Sequence, residues 1–390
     1  MFKKIIVVVT LLFCLSTIFN VAFSIDKKTT TKKELDSNIL FETSEGIEYT
    51  ISTNEMIDTY IIASALYMDF NSEILMPNTE DYAIYKRAKE FFSPYANHSF
   101  LKDFNKYVYN GDINGDAIGV LLSYSSTPSL DKICEVDAKY RNYVFKDDEE
   151  IDSFIKGLKS FYKYTNAKEF FDNNKGLINS IKSYVKYNIK DSRLIELIKR
   201  TEEYVNTKNK YFGDLPIEYE TVLTVFRPSM ASFYSYKTHS TNKIVTFQSP
   251  NDFTCDPYKL DINYMVENVI HEYLHSYINT PIYHIATSKC TDTNKYYTRL
   301  TENTLYRNMP LYRQVDEYIV RAIEGRIYTQ VFGKEYTFNR LLNKEIRFGG
   351  FERLDEIYNY LSNYEIDRNK FPTIDDFLPG LVEKLTRRLD

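Results

Sequence analysis

The chain has 390 residues, 43% of them hydrophobic, 16% aromatic and 26% charged. That composition supports a sizeable core in one large domain or two smaller ones, and it excludes a disordered chain. The net charge is −5 and no Lys/Arg cluster stands out, which argues against nucleic-acid binding.

Residues 1–24 read as an export signal. Lys3 and Lys4 give a basic start, 5–23 is nearly all apolar, and Ala22-Phe23-Ser24 offers small residues before a cut at Ile25. Cleavage removes two lysines and no acids, so the mature charge is −7. A secreted or cell-surface protein is expected, with no membrane contact after cleavage; the alternative is that the long apolar run stays uncleaved and spans a bilayer as an anchor. Residues 25–45 are Lys/Thr/Asp-rich at first, lack an apolar period, and read as a flexible leader. Three cysteines remain: Cys134, Cys255 and Cys290. Export permits a disulfide, and Cys255 and Cys290 flank the central helix described below, so that pair is expected to be bonded and Cys134 free, the alternative being three reduced cysteines, since three do not make a framework.

From about Asn54 the pattern turns helical, with Met56, Tyr60, Ala63 and Tyr67 at three- and four-residue spacing. The stretches 81–92 and 99–109 read the same way, and 117–122 is a short apolar segment. Asp147 to Glu150 puts acids into the first turn of a further helix, where the helix dipole favours them. Residues 178–205 make one long helix or two. Near 212–216 the character changes. Three β-branched or aromatic runs, 221–226, 233–236 and 243–247, predict a small sheet.

The next stretch carries the chemistry. Asn268-Val-Ile-His-Glu-Tyr-Leu-His-Ser-Tyr-Ile-Asn279 contains His271-Glu272-x-x-His275, the HExxH pattern. Residues four apart on a helix lie roughly 40° apart around the axis, so both imidazoles can face one ion. Glu272 falls roughly 100° from His271, where a carboxylate can take a proton from water. Met265, Val266, Val269, Tyr273 and Tyr277 form the opposite, core-facing arc. The bland alternative is a solvated face with two unrelated histidines, but the chain has only 5. Asn279-Thr280-Pro281 is expected to end this helix. Further helices are expected at 312–332, 350–363 and 374–389.

A catalytic zinc takes three protein ligands and keeps one open position. No third histidine stands at the metzincin spacing, so a carboxylate from a later helix is the natural third ligand. The helix that begins near Tyr312 offers Glu317 and Glu324 on one face, with Arg321 between them able to pair with either. Periodicity does not choose between the two acids. Gly325 would let the helix come close to the metal, which favours Glu324.

The residues His271-Glu-Tyr-Leu-His-Ser-Tyr-Ile-Asn279 and Glu317-Tyr-Ile-Val-Arg-Ala322 resemble gluzincin-type zinc metallopeptidases. More closely, they resemble a domain-of-unknown-function family of exported bacterial proteins with a similar His-Glu-x-x-His-Ser stretch and a later Glu-x-x-x-Arg-Ala. The resemblance implies a peptidase without a defined substrate. It also implies Glu317 as third ligand, with Arg321 free to bridge to Glu324.

The fold expected is therefore α+β and mostly helical. A helical N-terminal region, 46–210, precedes a zincin-like catalytic region, 211–390, with the small sheet before the HExxH helix. The expected function is hydrolysis of a peptide or protein substrate by one zinc ion held by His271, His275 and Glu317, with Glu272 as general base. The rival from another class is a surface-binding module on a decayed peptidase fold, and an intact Glu272 argues against it. A purely structural zinc is weaker still, because such sites close with four protein ligands and favour Cys.

Overall fold

The computed structural model describes residues 39–386 except 43–46, 69–82, 103, 110–111, 114, 138–139, 141–143, 225, 227–230, 239, 250–260, 290–299 and 304–305. The export signal and the Cys255–Cys290 pair lie outside the described residues. Cys134 is half-buried and free. Among the described residues, no helix is long and apolar enough to cross a membrane.

A five-stranded mixed sheet organises the chain. Strands β1 (Ile39–Glu42) and β2 (Glu48–Ser52) come from the N-terminal stretch. β1 falls inside the segment expected as leader. Helices α1 (Glu55–Tyr67), α2 (Ala83–Phe92), α3 (Gly115–Leu121), α4 (Asp148–Tyr164), α5 (Ala167–Ile189) and α6 (Leu194–Val205) follow, with a small hairpin of β3 (Val108–Tyr109) and β4 (Asp112–Ile113) ahead of α3. Strands β5 (Ile217–Leu223), β6 (Ala231–Lys237) and β7 (Asn242–Gln248) complete the sheet in the order β1-β2-β5-β7-β6. β2, β5 and β7 run parallel, while β1 and β6 pair antiparallel at the two edges. The helices α1 to α6 are thus one long crossover between the parallel strands β2 and β5.

Both faces of the sheet are covered, so its central strands are mostly apolar or hydroxylated, the exceptions Glu218 and Glu220 of β5 pairing with Lys243 of β7. Val222, Val245 and Phe247 face α1 to α5, where Phe92, Phe154, Phe161 and Phe170 build an aromatic core. Tyr49, Tyr219, Leu223 and Ile244 face α7 (Ile262–Lys289) and α8 (Leu311–Phe332). Buried hydroxyls on that second face satisfy one another across the strands. Tyr49 Oη donates to Thr221 Oγ1 at 2.8 Å, and Thr221 Oγ1 lies 2.7 Å from Thr246 Oγ1. The C-terminal helices α9 (Leu354–Tyr360) and α10 (Ile374–Thr386) pack on α8 and α7. The result is the mostly helical α+β fold expected, with β5 to β7 directly before the HExxH helix.

Local signals explain several boundaries. Asn54 caps α1 by accepting from the Met56 and Ile57 amides at 3.0 and 3.1 Å, and Asp147 caps α4 by accepting from Glu150 at 2.9 Å. Residues 178–205 are split, because Arg193 takes a left-handed conformation (φ 59°) between α5 and α6. Residues 99–109 are not the expected helix but two short 3₁₀ turns and a strand. There Phe100 sits against Gly157 of α4 so closely that a Cβ would collide with its ring.

Pro281 does not end the HExxH helix. α7 runs on to Lys289 with Pro281 inside it. A mid-helix proline costs about 3 kcal/mol. Beyond it, Ile282 and Ala286 continue the buried face, and burying such side chains is worth about 1.5–3 kcal/mol each for the larger ones. Together with the partly buried Ile285, this tertiary packing offsets much of that cost, so the local stop signal does not end the helix.

Candidate metal centre

α7 lies on the sheet through its aromatic side. Tyr273 packs on Tyr219 with ring centroids 5.0 Å apart, and Tyr277 Oη meets Tyr219 Oη at 2.8 Å. That anchoring turns His271, Glu272 and His275 toward α8 and the edge strand β6. Phe233 of β6 stacks on His275, rings 5.6 Å apart and 17° from parallel. α8 in turn is buried nearly all round, and it brings Asp316, Glu317 and Glu324 into the same space.

Among the described residues, His271, His275 and Glu317 form a group whose ligand atoms converge. His271 Nε2 lies 3.1 Å from His275 Nε2 and 3.5 Å from Glu317 Oε2, and His275 Nε2 lies 3.6 Å from Glu317 Oε1. Tetrahedral zinc with bonds of about 2.0–2.2 Å would set its ligands about 3.3–3.6 Å apart. The two histidine–carboxylate separations match that span, each through a different Glu317 oxygen. The 3.1 Å between the imidazoles is slightly short of it, so the donor set suits such an ion after small side-chain adjustment.

The far nitrogens of both rings are also held. His271 Nδ1 is 3.3 Å from Glu324 Oε2, and His275 Nδ1 is 3.2 Å from Asp316 Oδ2. A carboxylate accepts only, so each Nδ1 carries the hydrogen and each Nε2 is left to face the centre. Asn279 adds a second fixing point. Its side-chain amide lies 2.8 Å from His275 Nδ1, where Oδ1 can accept from that nitrogen.

The charges agree with a cation site. Burial and Arg321 oppose a charge on His271, yet Glu317 and Glu324 outweigh both and raise it to about 10. Burial likewise opposes a charge on His275, but Asp316 and Glu317 push it up. Burial would raise Glu317, but Arg321 and the two imidazoles hold its carboxyl well below the usual range. The carboxylates thus call for positive charge between the rings, whether from protons or from a metal ion. Glu272 keeps partial access to solvent, and burial raises its carboxyl.

The family described as a domain of unknown function (DUF4932) matches residues 112–384, more than half of the chain. The chain belongs to that family. No curated protein and no solved structure matches it. The DUF4932 match spans α7 and α8, so the whole His-His-Glu group lies inside the domain.

Two expectations about the DUF4932 site are corrected. Arg321 does not bridge to Glu324. Its guanidinium pairs with Glu317 and, at 3.0 Å, with Glu345, while Glu324 is engaged by His271. The rings of Phe351 and Tyr306, 4.3 and 5.6 Å from the Arg321 Cζ, draw it to that side. Gly325 does not serve closeness to a metal. A Cβ there would meet Leu342 at 2.9 Å and Tyr358 at 3.2 Å, so it serves helix packing instead. Asp316, Asn279 and Glu345 are site residues that the sequence alone did not single out. The signals were their positions: beside Glu317, four residues after His275, and within a helix-to-glycine turn.

Proposed function

We propose that this chain is an exported zinc-dependent peptide hydrolase. The observation that carries the proposal is the convergence of His271, His275 and Glu317, with the partly exposed Glu272 beside them. Such an ion, when bound, supplies Lewis acidity and lowers the pKa of a water to about 7. Glu272 accepts the proton of the attacking water as its oxygen bonds to the carbonyl carbon. Glu272 then returns that proton to the amine nitrogen as the carbon–nitrogen bond breaks. A raised Glu272 carboxyl suits both steps, because it lies nearer to the pH at which it must accept and release.

Tyr306, whose ring lies 5.6 Å from the Arg321 Cζ, is a candidate donor to the carbonyl oxygen. It is kept neutral by burial, and Glu317, Arg321 and Glu272 all lie within reach of its hydroxyl's electrostatic field. Zinc is favoured over harder ions because two imidazoles and one carboxylate form its common catalytic donor set. Export is supported by the basic-apolar-small pattern of residues 1–24.

The test is metal analysis of purified protein together with cleavage of a peptide library with and without a chelator. Stoichiometric zinc and chelator-sensitive cleavage are expected. Bound zinc with no cleavage of any peptide would favour the binding-module reading instead.

A further inference from the structure

The Glu317 carboxylate presents both oxygens to the centre, Oε2 toward His271 and Oε1 toward His275. Each stands at about a tetrahedral edge from one imidazole, so the donor set alone does not decide whether one oxygen binds or two. Arg321 breaks the symmetry. Its Nη1 pairs with Oε2 and also donates to the Glu317 carbonyl at 3.3 Å.

The guanidinium is itself clamped. Nε donates to Glu345 Oε2 at 3.0 Å, and the plane lies over Phe351. Glu345 is held by the turn that follows it. Phe351 N donates to the Glu345 carbonyl at 3.2 Å. The Gly350 carbonyl accepts from Thr301 Oγ1 at 2.6 Å and from Glu302 N at 3.0 Å, and the Gly349 carbonyl accepts from Asn303 Nδ2 at 2.6 Å. The Arg321 side chain is only 15% exposed, so water does not compete freely for the pair.

We propose that Arg321 is a positioning residue that holds Glu317 Oε2 away from the metal, making Glu317 a one-oxygen ligand and keeping a coordination position open. Glu345 is the anchor that sets where Arg321 stands. This rests on the reading that His271, His275 and Glu317 bind one ion. It adds that the ion's coordination number is set by a residue that does not touch it. An Arg fork suits this task because it binds a carboxylate on one side and a second carboxylate on the other, which a lysine ammonium does less rigidly.

The test uses full-length protein loaded with cobalt(II), whose visible bands are strong at four-coordinate sites and weak at higher coordination, together with zinc affinity by competition with a chromophoric chelator. Wild type is expected to show strong bands. Arg321→Ala is expected to weaken them as Glu317 binds through both oxygens, and to lower zinc affinity about 10- to 100-fold. Arg321→Lys should recover part of the band intensity, and Glu345→Gln should fall between wild type and Arg321→Ala. Should Arg321→Ala fail to fold, Arg321→Lys and Glu345→Gln carry the test. A purely structural role would shift the melting temperature and leave the cobalt spectrum of the folded protein unchanged. Wild-type spectra and zinc affinities in the folded variants overturn the inference. If cobalt binds wild type but not His275→Ala while the Arg321 variants match wild type, this inference alone fails. If wild type binds neither ion, the metal reading fails with it.

Discussion

His271 and Glu324 are joined through the nitrogen that faces away from the centre, Nδ1 to Oε2 at 3.3 Å, while Glu317 faces the other nitrogen. The two acids that share one face of α8 therefore do different work. On the proposed zinc reading, Glu317 is a ligand and Glu324 orients one. Removing each should separate these roles. Glu317→Ala is expected to lose the metal. Glu324→Ala is expected to keep it with affinity weakened about 10- to 100-fold. Metal titration of both variants checks this, and metal loss confined to the Glu324 variant reverses the assignment.

Glu272→Gln should retain zinc and the fold while hydrolysis falls by about 10²- to 10⁴-fold, because a neutral amide cannot accept the water proton. Zinc content and turnover are measured on the same sample. Undiminished turnover would remove Glu272 as the base.

A third expectation lies away from the centre. Asp58 of α1 is buried on the other side of the sheet and accepts a hydrogen bond from Thr224 Oγ1 at 2.5 Å. Burial pushes its carboxyl from 3.8 up to about 8. The folded chain therefore keeps a proton that the unfolded chain releases above about pH 4. Stability falls as pH rises from about 4 to about 8 and levels off beyond. The slope from this one group reaches at most about 1.4 kcal/mol per pH step of one. Asp58→Asn should flatten that slope and raise the melting temperature at alkaline pH. Denaturant melts across the range decide it, and an unchanged slope refutes it.

Gly350 is the fourth test. Its φ is +74°, and a Cβ there would meet the backbone of Glu302 at 2.7 Å and collide with that of Asn303. Gly350→Ala is expected to destabilise the chain by about 1–3 kcal/mol. It should also weaken metal binding, because the turn carries Glu345. A destabilised variant with unaltered metal affinity would show that the turn and the centre are uncoupled.

Much of the centre was legible because HExxH spacing on a helix has one geometric meaning. The third ligand was less so. Glu317 and Glu324 are seven residues apart on one face, and only the resemblance favoured the first. Asp316 was hidden for a different reason. A helix packed on all sides has no solvent face to mark its polar residues as special. Pro281 misled because a local stop signal carries no information about Ile282 and Ala286 packing beyond it. β2 was missed because a five-residue strand is defined by its partner, and the partner lies far along the chain.

That distance has a consequence for how the protein must be made. β2 and β5 pair Ser52 with Val222, residues 170 positions apart. The sheet beneath the HExxH helix cannot close until both have been synthesised. Contacts of such long sequence separation slow folding and leave unpaired strand edges waiting. On the proposed export that delay is useful, since a polypeptide that has not yet closed its sheet can still be threaded through a pore. It also means that a recombinant product beginning after Ser52 would leave β5 as a bare edge, prone to aggregate even with every residue of the metal centre intact.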